Sequence, residues 1–178
     1  VPGLIGDAGY FNGNNSYVYI GNSPSFILNQ LTILAWAEIY NNETFSGANL
    51  IAKGDSCGGA DYGISFDNCC PGIQIIGNTS NGFQYRDYYD SNKLIGKWLF
   101  IVHTYNSNGV WQAYINTNLL FQENIGQLVV TNNTPLIVSF PYVPISHCGG
   151  TFYGLINEIR IYNIPLSYDI IQNLYYRI

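Results

Sequence analysis

The chain has 178 residues, of which 10% are charged, and 11 acidic residues against 6 lysines and arginines give a formal net charge of −5. A chain of this length fits one domain that buries roughly 70% of its unfolded surface, enough for a two-sheet core. The acidic balance leaves no basic stripe for nucleic acid, and the strand-length apolar runs fall short of the roughly 18 residues of a membrane helix, so we expect neither nucleic-acid binding nor membrane insertion.

Short strand-like runs alternate with turns along the whole chain, and no linker or repeat divides it. Many short strands at this spacing are typical of an antiparallel sandwich. We therefore predict one all-β domain over residues 1–178. The expected strands are 17–20, 31–39, 50–53, 62–66, 73–76, 83–85, 98–105, 110–115, 119–122, 128–130, 136–140 and 152–162.

The run 98–105 is apolar on both faces, which indicates a central strand. The turn at 106–109 follows it, and Gly109 suits the positive φ of a hairpin that returns into 110–115. His103 lies in the middle of the central strand. We expect it to be a hydrogen-bonded core or concave-face histidine rather than a catalytic one.

The last quarter of the chain predicts a strand that leads into a short helix. Ile159 and Ile161 fall on one strand face, while Glu158, Arg160 and Tyr162 fall on the other. Glu158 and Arg160 therefore share a face, where we expect them to form a structural ion pair.

A helix is predicted after Pro165, which ends the strand. Ser167 occupies the position of an N-cap hydroxyl, and Asp169 puts a carboxylate in the first turn, where the helix dipole favours it. The apolar stripe that docks this helix is expected to consist of Ile170, Ile171 and Leu174.

Three segments, in order, resemble the concanavalin A-like, laminin-G-like jelly rolls. Residues 9–26 resemble the opening hairpin, residues 97–121 the central hairpin pair, and residues 154–175 the closing strand and helix of that family. The resemblance implies a two-sheet antiparallel jelly roll. It implies little about function, because this family includes enzymes, lectins and structural modules.

The resemblance also implies a structural calcium ion, which many relatives hold at the edge of the sandwich. The matching positions are Asp7, Asn12, Asn157 and Glu158. Calcium takes six to eight oxygen ligands, which carboxylates and carbonyls supply. Relatives often carry Asp where this chain has Asn157, so the expected site has one charge fewer.

Four cysteines, Cys57, Cys69, Cys70 and Cys148, form an even set that favours disulfide bonds. Three pairings are open, and we favour Cys57 with one of the adjacent pair and Cys148 with the other. A zinc site that uses these thiols with His147 is the alternative, although Cys57 and Cys148 lack a ligand partner at zinc spacing.

Four glycosylation sequons begin at Asn14, Asn42, Asn78 and Asn132. Together with the cysteines they predict a secreted or surface location. The chain contains no methionine and starts at Val1, from which we expect a processed product or an excised piece of a larger protein.

A segment rich in tyrosine and charge is the candidate ligand-binding site. Aromatic faces that stack on sugar rings, flanked by acids that read hydroxyl groups, form a plausible glycan platform. The alternative is that these tyrosines simply cover the outer face of a sheet. The candidate residues are Tyr85, Arg86, Asp87, Tyr88, Tyr89 and Asp90.

Catalytic residues are not expected. A glycosidase needs two carboxylates about 5 to 10 Å apart, and Glu38, Glu43, Glu123 and Glu158 are scattered along the chain. We therefore predict a non-catalytic, exported domain that binds glycans or cell-surface glycoproteins. The alternative is a self-associating structural subunit of a virion or filament, and a glycoside hydrolase comes third.

Overall fold

A computed structural model describes residues 1–40, 48–54, 59–67, 72–89, 94–131, 133–139 and 151–177. These residues contain twelve strands in two antiparallel sheets of six, a 3₁₀ helix at Pro24–Phe26, and one C-terminal α-helix, α1, at Tyr168–Tyr175. The prediction of an all-β jelly-roll sandwich with a short C-terminal helix is therefore confirmed.

The strands follow one another closely along the chain. They are β1 Gly9–Asn12, β2 Val18–Gly21, β3 Leu31–Ile39, β4 Ala48–Lys53, β5 Tyr62–Asp67, β6 Gly72–Thr79, β7 Gly82–Tyr89, β8 Trp98–Tyr105, β9 Val110–Ile115, β10 Asn118–Asn124, β11 Leu136–Val138 and β12 Tyr153–Tyr162. The first sheet has the order β1-β12-β3-β8-β9-β10, and the second has the order β2-β11-β4-β5-β6-β7. The edge strands of the two sheets are thus β1 and β10, and β2 and β7.

The core lies between the two sheets, because each strand turns alternate side chains inward. It is lined by aliphatic and aromatic side chains from both sheets, with Trp111 and Tyr62 among its largest fully buried members. Tyr62 keeps a hydrogen bond there by donating its hydroxyl to the Phe26 carbonyl at 2.9 Å. Burial and the nearby Asp61 carboxylate raise the pKa of this tyrosine well above its usual range.

Helix α1 packs on the outer face of the first sheet. Ile171 is fully buried there with Leu34 and Phe100, and the Tyr175 ring stacks on Trp36 at 5.4 Å. Ile170, which we predicted in the docking stripe, is 45% exposed instead. Its position one residue before Ile171 turns it away from the sheet by about 100° of helix rotation.

The start of α1 differs from the prediction in one detail. Ser167 is the N-cap residue, but its side chain makes no capping hydrogen bond; its carbonyl oxygen accepts the Ile171 N–H at 3.0 Å. Asp169 lies in the first turn as predicted. The favourable charge at the helix start therefore comes from the carboxylate alone.

Two strand predictions need correction. Residues 128–130 form no strand, and Leu128 makes an isolated bridge with Thr79 instead. β1 was expected only as part of an opening hairpin, whereas it pairs along its length with β12. In β12 the register shifts next to Glu158, whose φ is 55°, so this strand contains a bulge.

A buried ion pair ties the second sheet to the loop before β11. Lys53 is 0% exposed and lies 3.4 Å from the carboxylate of Asp61, and its ammonium also donates to the Thr134 carbonyl at 2.7 Å. Asp61 in turn accepts hydrogen bonds from the Thr131 N–H at 3.0 Å and from the Thr134 hydroxyl at 3.0 Å. Both charged groups have hydrogen-bond partners, so removing either residue leaves the charge of the other one unpaired in the interior.

We predict that Lys53→Met destabilises the fold by about 3–5 kcal/mol, because it leaves the Asp61 carboxylate buried without a counter-charge. Chemical denaturation measures this loss. Lys97→Met is the matched control, since Lys97 is exposed, and it should change the free energy of unfolding by less than about 0.5 kcal/mol. Equal effects of the two substitutions would contradict the prediction.

Candidate functional site

The candidate ligand-binding segment coincides with β7, an edge strand of the second sheet that pairs with β6. Alternation along this strand divides the predicted residues between two faces. Arg86 and Tyr88 point toward the core, where Tyr88 packs against the main cluster. Tyr85 and Asp87 point outward. The backbone of Tyr89 ends the strand, and Asp90 lies outside the described residues.

The inner half of the segment closes the open edge of the sandwich. The Arg86 guanidinium donates from Nε to both carboxylate oxygens of Glu123, at 3.0 and 3.1 Å, and a second contact joins Nη2 to the same carboxylate. Glu123 belongs to β10, so this bidentate pair joins the edge strands of the two sheets. The hydrogen bonds from Arg86 lower the pKa of Glu123. Arg86 therefore links the two sheets at this edge.

The guanidinium of Arg86 also lies over the Trp111 ring, 6.0 Å from its centroid, and the His103 ring lies 5.3 Å from that tryptophan. His103 is a core histidine, as predicted, but neither of its ring nitrogens has a hydrogen-bond partner among the described residues. Burial lowers its pKa to about 3. The expected hydrogen bond is therefore not formed with any described residue, and burial in apolar surroundings keeps the ring neutral.

The outer half of the segment forms a row of solvent-facing side chains. The Phe83 and Tyr85 rings lie 6.4 Å apart with an interplanar angle of 34°, and Tyr85 is 52% exposed. The Asp87 carboxylate follows on the same face and accepts a hydrogen bond from the Gln74 amide at 2.8 Å. We call Phe83, Tyr85, Asp87 and Gln74 the outer row.

Phe83 and Gln74 were not among the predicted site residues. Strand periodicity is the signal that could have found Phe83, because it stands two residues before Tyr85. Gln74 is brought to Asp87 by the register of β6 against β7, which the sequence of β7 alone does not specify. The candidate site is therefore the outer row rather than the continuous segment 85–90.

Two cavities that the described residues form at the sandwich edges suit sugars less well. A cavity of about 120 Å³ beside Tyr88 and Asn118 is below the roughly 300 Å³ at which small-molecule sites begin. The larger groove, about 430 Å³, lies between β2 and β12 and is lined mainly by aliphatic side chains such as Val18 and Ile20. Its polar members, Asn157 and Glu158, are engaged elsewhere.

Three of the four residues of the predicted calcium site use their side chains in other contacts. Asn157 accepts the Ile5 N–H at 3.0 Å and donates to the carbonyls of Ile5 and Asp7, at 3.1 and 2.8 Å. The Asn12 amide oxygen accepts three backbone N–H groups of the following turn.

Glu158, the fourth residue of that site, pairs with Arg160, as expected for a structural ion pair. A calcium ion would have to displace these contacts, so the donor set fits the ion poorly. Calcium binding here stays a prediction, and a melting temperature that falls on chelation would support it.

The cysteines at 57, 69, 70 and 148 lie outside the described residues, as do His147 and the sequons at Asn42 and Asn132. Their disulfide, zinc and glycosylation predictions therefore stay predictions. Of the remaining sequons, Asn14 is exposed, whereas the Asn78 amide donates to the Val129 carbonyl at 3.2 Å.

Of the four glutamates, two form ion pairs in the described part of the chain. Glu123 and Glu158 are paired with arginines, and Glu43 lies outside this part. Across the same ranges, no three His, Cys, Asp or Glu residues come close enough to hold a metal ion. No helix among the described residues has the length and apolar character of a membrane span.

A two-sheet jelly roll with aromatic residues on its surface is the architecture of the lectin-like sandwiches. The family model described as the concanavalin A-like lectin/glucanases superfamily, of laminin-G type, matches residues 12–172. The chain therefore belongs to this superfamily, and the resemblance seen in its three sequence segments is confirmed. No curated protein sequence gives a significant match.

Solved structures with the same fold include binding domains of larger proteins. Domain 4 of an extracellular arabinanase from Geobacillus stearothermophilus, in complex with arabinotriose, has a TM-score of 0.72 and 18% identity over 98% of this chain and 79% of that chain. A putative carbohydrate-binding protein from Bacteroides ovatus has a TM-score of 0.71 and 14% identity over 93% of this chain and 45% of that one.

A botulinum neurotoxin type C structure, described as showing that cell entry depends on two ganglioside molecules, has a TM-score of 0.67. It is 15% identical over 96% of this chain and 44% of its own. The chain thus spans less than half of the last two structures. Identities at this level establish the shared fold only, so the ligand of this chain has to be inferred from its own residues.

We predict that His103 makes the protein acid-labile. Because its pKa in the folded state is about 3, against about 6.5 when unfolded, protons bind the unfolded chain first as the pH falls below 6.5. Stability is full above that pH and declines toward pH 3, by about 2 kcal/mol at pH 5. Denaturation curves between pH 5 and pH 7, where carboxylates stay ionised, measure the slope.

His103→Leu is the matched variant for this prediction, because it keeps an apolar side chain of similar size and removes the titrating group. Its free energy of unfolding should stay nearly constant over the same pH range. If the free energy of unfolding of the wild-type protein is equally independent of pH, His103 is protonated or hydrated inside the fold and the prediction is wrong.

Proposed function

We propose that this chain is a non-catalytic carbohydrate-binding domain of an exported protein, and that it binds glycan on the outer row of β7. The observation that carries the proposal is the pair of neighbouring rings of Phe83 and Tyr85, tilted by 34° to each other, on the outer face of an edge strand. The partners would be glycans or cell-surface glycoproteins, and the location would be extracellular.

The geometry of the outer row supports a sugar ligand for a physical reason. A sugar ring has apolar C–H faces and polar hydroxyl edges, so it needs an exposed aromatic surface with hydrogen-bonding groups beside it. Tyr85 supplies the exposed surface. The half-buried Phe83, which packs against Ala52, Ala60 and Ile76, extends it at an interplanar angle of 34°. Asp87 and Gln74 supply a carboxylate and an amide that already hold each other in position.

The comparisons support the same class of ligand. The superfamily is named for lectins and glucanases, and the structural neighbours include an arabinanase domain with bound arabinotriose and a putative carbohydrate-binding protein. Those ligands belong to the neighbours. For this chain they recommend arabinan fragments and ganglioside oligosaccharides as the first probes.

The experiment for this proposal is a glycan array followed by titration of the best ligand. We expect Tyr85→Ala to weaken binding about tenfold or more, as truncation of an aromatic anchor does, and Asp87→Asn to weaken it less. Tyr176→Ala is the matched control, because Tyr176 is 71% exposed on the opposite side of the sandwich. Undiminished binding by Tyr85→Ala would remove the outer row as the site.

Self-association as a structural subunit is the second candidate, and the β2 edge favours it. Val18, Tyr19 and Ile20 are 49%, 62% and 47% exposed along this edge strand. Natural edge strands are often protected by charged residues or bulges. No charged residue occurs between Asp7 and Glu38, although the pairing of β2 with β11 shifts register beside Ile20. Such an edge is suited to pairing with the edge of another copy.

We predict for this second candidate that the wild-type protein forms dimers or larger species at high concentration, and that Tyr19→Lys shifts it to monomer. The reason is that a charge in the exposed edge must be desolvated on pairing. Sedimentation over a range of concentrations measures the effect. A wild-type protein that is monomeric throughout would eliminate this candidate.

A further inference from the structure

A second group of aromatic residues lies on the first sheet, away from the outer row. It consists of Tyr10 in β1, Tyr153 in β12 and Tyr40 just after β3. Tyr10 and Tyr40 are 49% and 39% exposed, and Tyr153 is half-buried. We call these three residues the tyrosine cluster.

Strand register explains why these side chains meet. Tyr10 is paired with Leu155, which is paired with Glu38, so the three form one row on the outer face of the first sheet. The next row contains Tyr153 and Tyr40, whose backbones are joined by a hydrogen bond from the Tyr40 N–H to the Tyr153 carbonyl at 3.1 Å. Leu155, which is 7% exposed, lies between Tyr10 and Glu38 in the first of these rows.

Gly154 keeps the two rows close together. Its φ is 150°, and a Cβ at this position would lie 2.0 Å from the Glu38 carbonyl oxygen. Any side chain here would push β12 away from β3 and separate Tyr153 from Tyr40. The close approach of the two strands thus depends on glycine at this point.

The rings of the tyrosine cluster do not form a flat surface. The ring centroids are 6.4 Å apart for Tyr10 and Tyr40, 6.4 Å for Tyr10 and Tyr153, and 5.5 Å for Tyr40 and Tyr153. The interplanar angles are 40°, 70° and 89°. Because two of these angles are steep, one sugar ring cannot stack on all three rings, whereas a compact ligand can touch several rings at once.

The electrostatics of the cluster favour a positive ligand. Glu38 stands two residues before Tyr40 on the same face and forms no ion pair with any residue that the structure describes. Burial and the Glu38 carboxylate both raise the pKa of Tyr40. The cation–π contact found among the described residues is that of Arg86 with Trp111, so no described lysine or arginine fills this cluster.

We infer that the tyrosine cluster is a binding site for a quaternary or alkylated ammonium group. Such cations are recognised by aromatic faces within about 6 Å, and the three centroids are close enough together for one cation above them to meet this distance from every ring. Leu155 would contact the methyl groups, and Glu38 would supply the counter-charge. This site is independent of the proposed glycan site.

Choline chloride is the probe, titrated by calorimetry or by NMR of the tyrosine rings. Its uncharged isostere, in which a tert-butyl group replaces the trimethylammonium group, is the control ligand. We expect the wild-type protein to bind choline and to bind the isostere at least about fivefold more weakly, because the isostere lacks the cation–π attraction. Absence of choline binding, or equal binding of both ligands, would overturn the inference.

Variants locate the site. Tyr10→Ala should weaken choline binding about fivefold or more, Tyr10→Phe should keep most of it, and Tyr85→Ala should leave it unchanged. Glu38→Gln, which preserves shape and does not endanger folding, should weaken choline and leave the isostere unaffected. Choline binding that is insensitive to Tyr10→Ala and Glu38→Gln in folded proteins would place the ligand elsewhere and contradict the inference.

Two further comparisons separate the sources and the proposals. Vesicles of phosphatidylcholine, beside vesicles of phosphatidylglycerol, tell a lipid head group from free choline as the source of the cation. Glycan binding that is lost in Tyr85→Ala and kept in Tyr10→Ala supports two separate sites. Loss of choline binding in Tyr85→Ala would mean that both ligands use one site, and would overturn the assignment to the tyrosine cluster.

Discussion

Burial of one face of every strand between the two sheets is the constraint on which the rest of the structure depends. Side chains alternate along a strand, so a residue that turns inward fixes its two neighbours outward. Core residues such as Trp111 and Tyr62 hold this register, since a slip of one residue would exchange the inner and outer faces. The register that places some aromatic side chains in the core therefore also determines which ones are exposed.

The two exposed aromatic groups differ in shape for this reason. Phe83 and Tyr85 lie two residues apart on one edge strand, so their side chains project from the same face, with an interplanar angle of 34°. Tyr10 lies in β1, Tyr153 in β12 and Tyr40 just after β3, and two of their three interplanar angles are 70° and 89°. The first arrangement suits a ring-shaped neutral ligand, and the second suits a small cation.

Periodicity and the family resemblance predicted most of the fold. The β3, β8 and β9 strands were predicted with the bounds they have, because continuous or alternating apolar runs mark them clearly. The outer row was harder to predict from the sequence, since a list of adjacent residues such as Tyr85 to Asp90 does not say on which face of the strand each one lies. Contacts made across strands, such as Gln74 with Asp87 or Arg86 with Glu123, depend on register that no single segment contains.

The most direct test of this account is NMR of isotope-labelled tyrosine rings during titration with a bound glycan. Because β7 turns Tyr85 outward and Tyr88 into the core, the account predicts that the ring signals of Tyr85 shift while those of Tyr88 and Tyr176 stay in place. Shifts centred on Tyr88 with Tyr85 unchanged would contradict it, because they would mean that β7 presents its other face to the ligand.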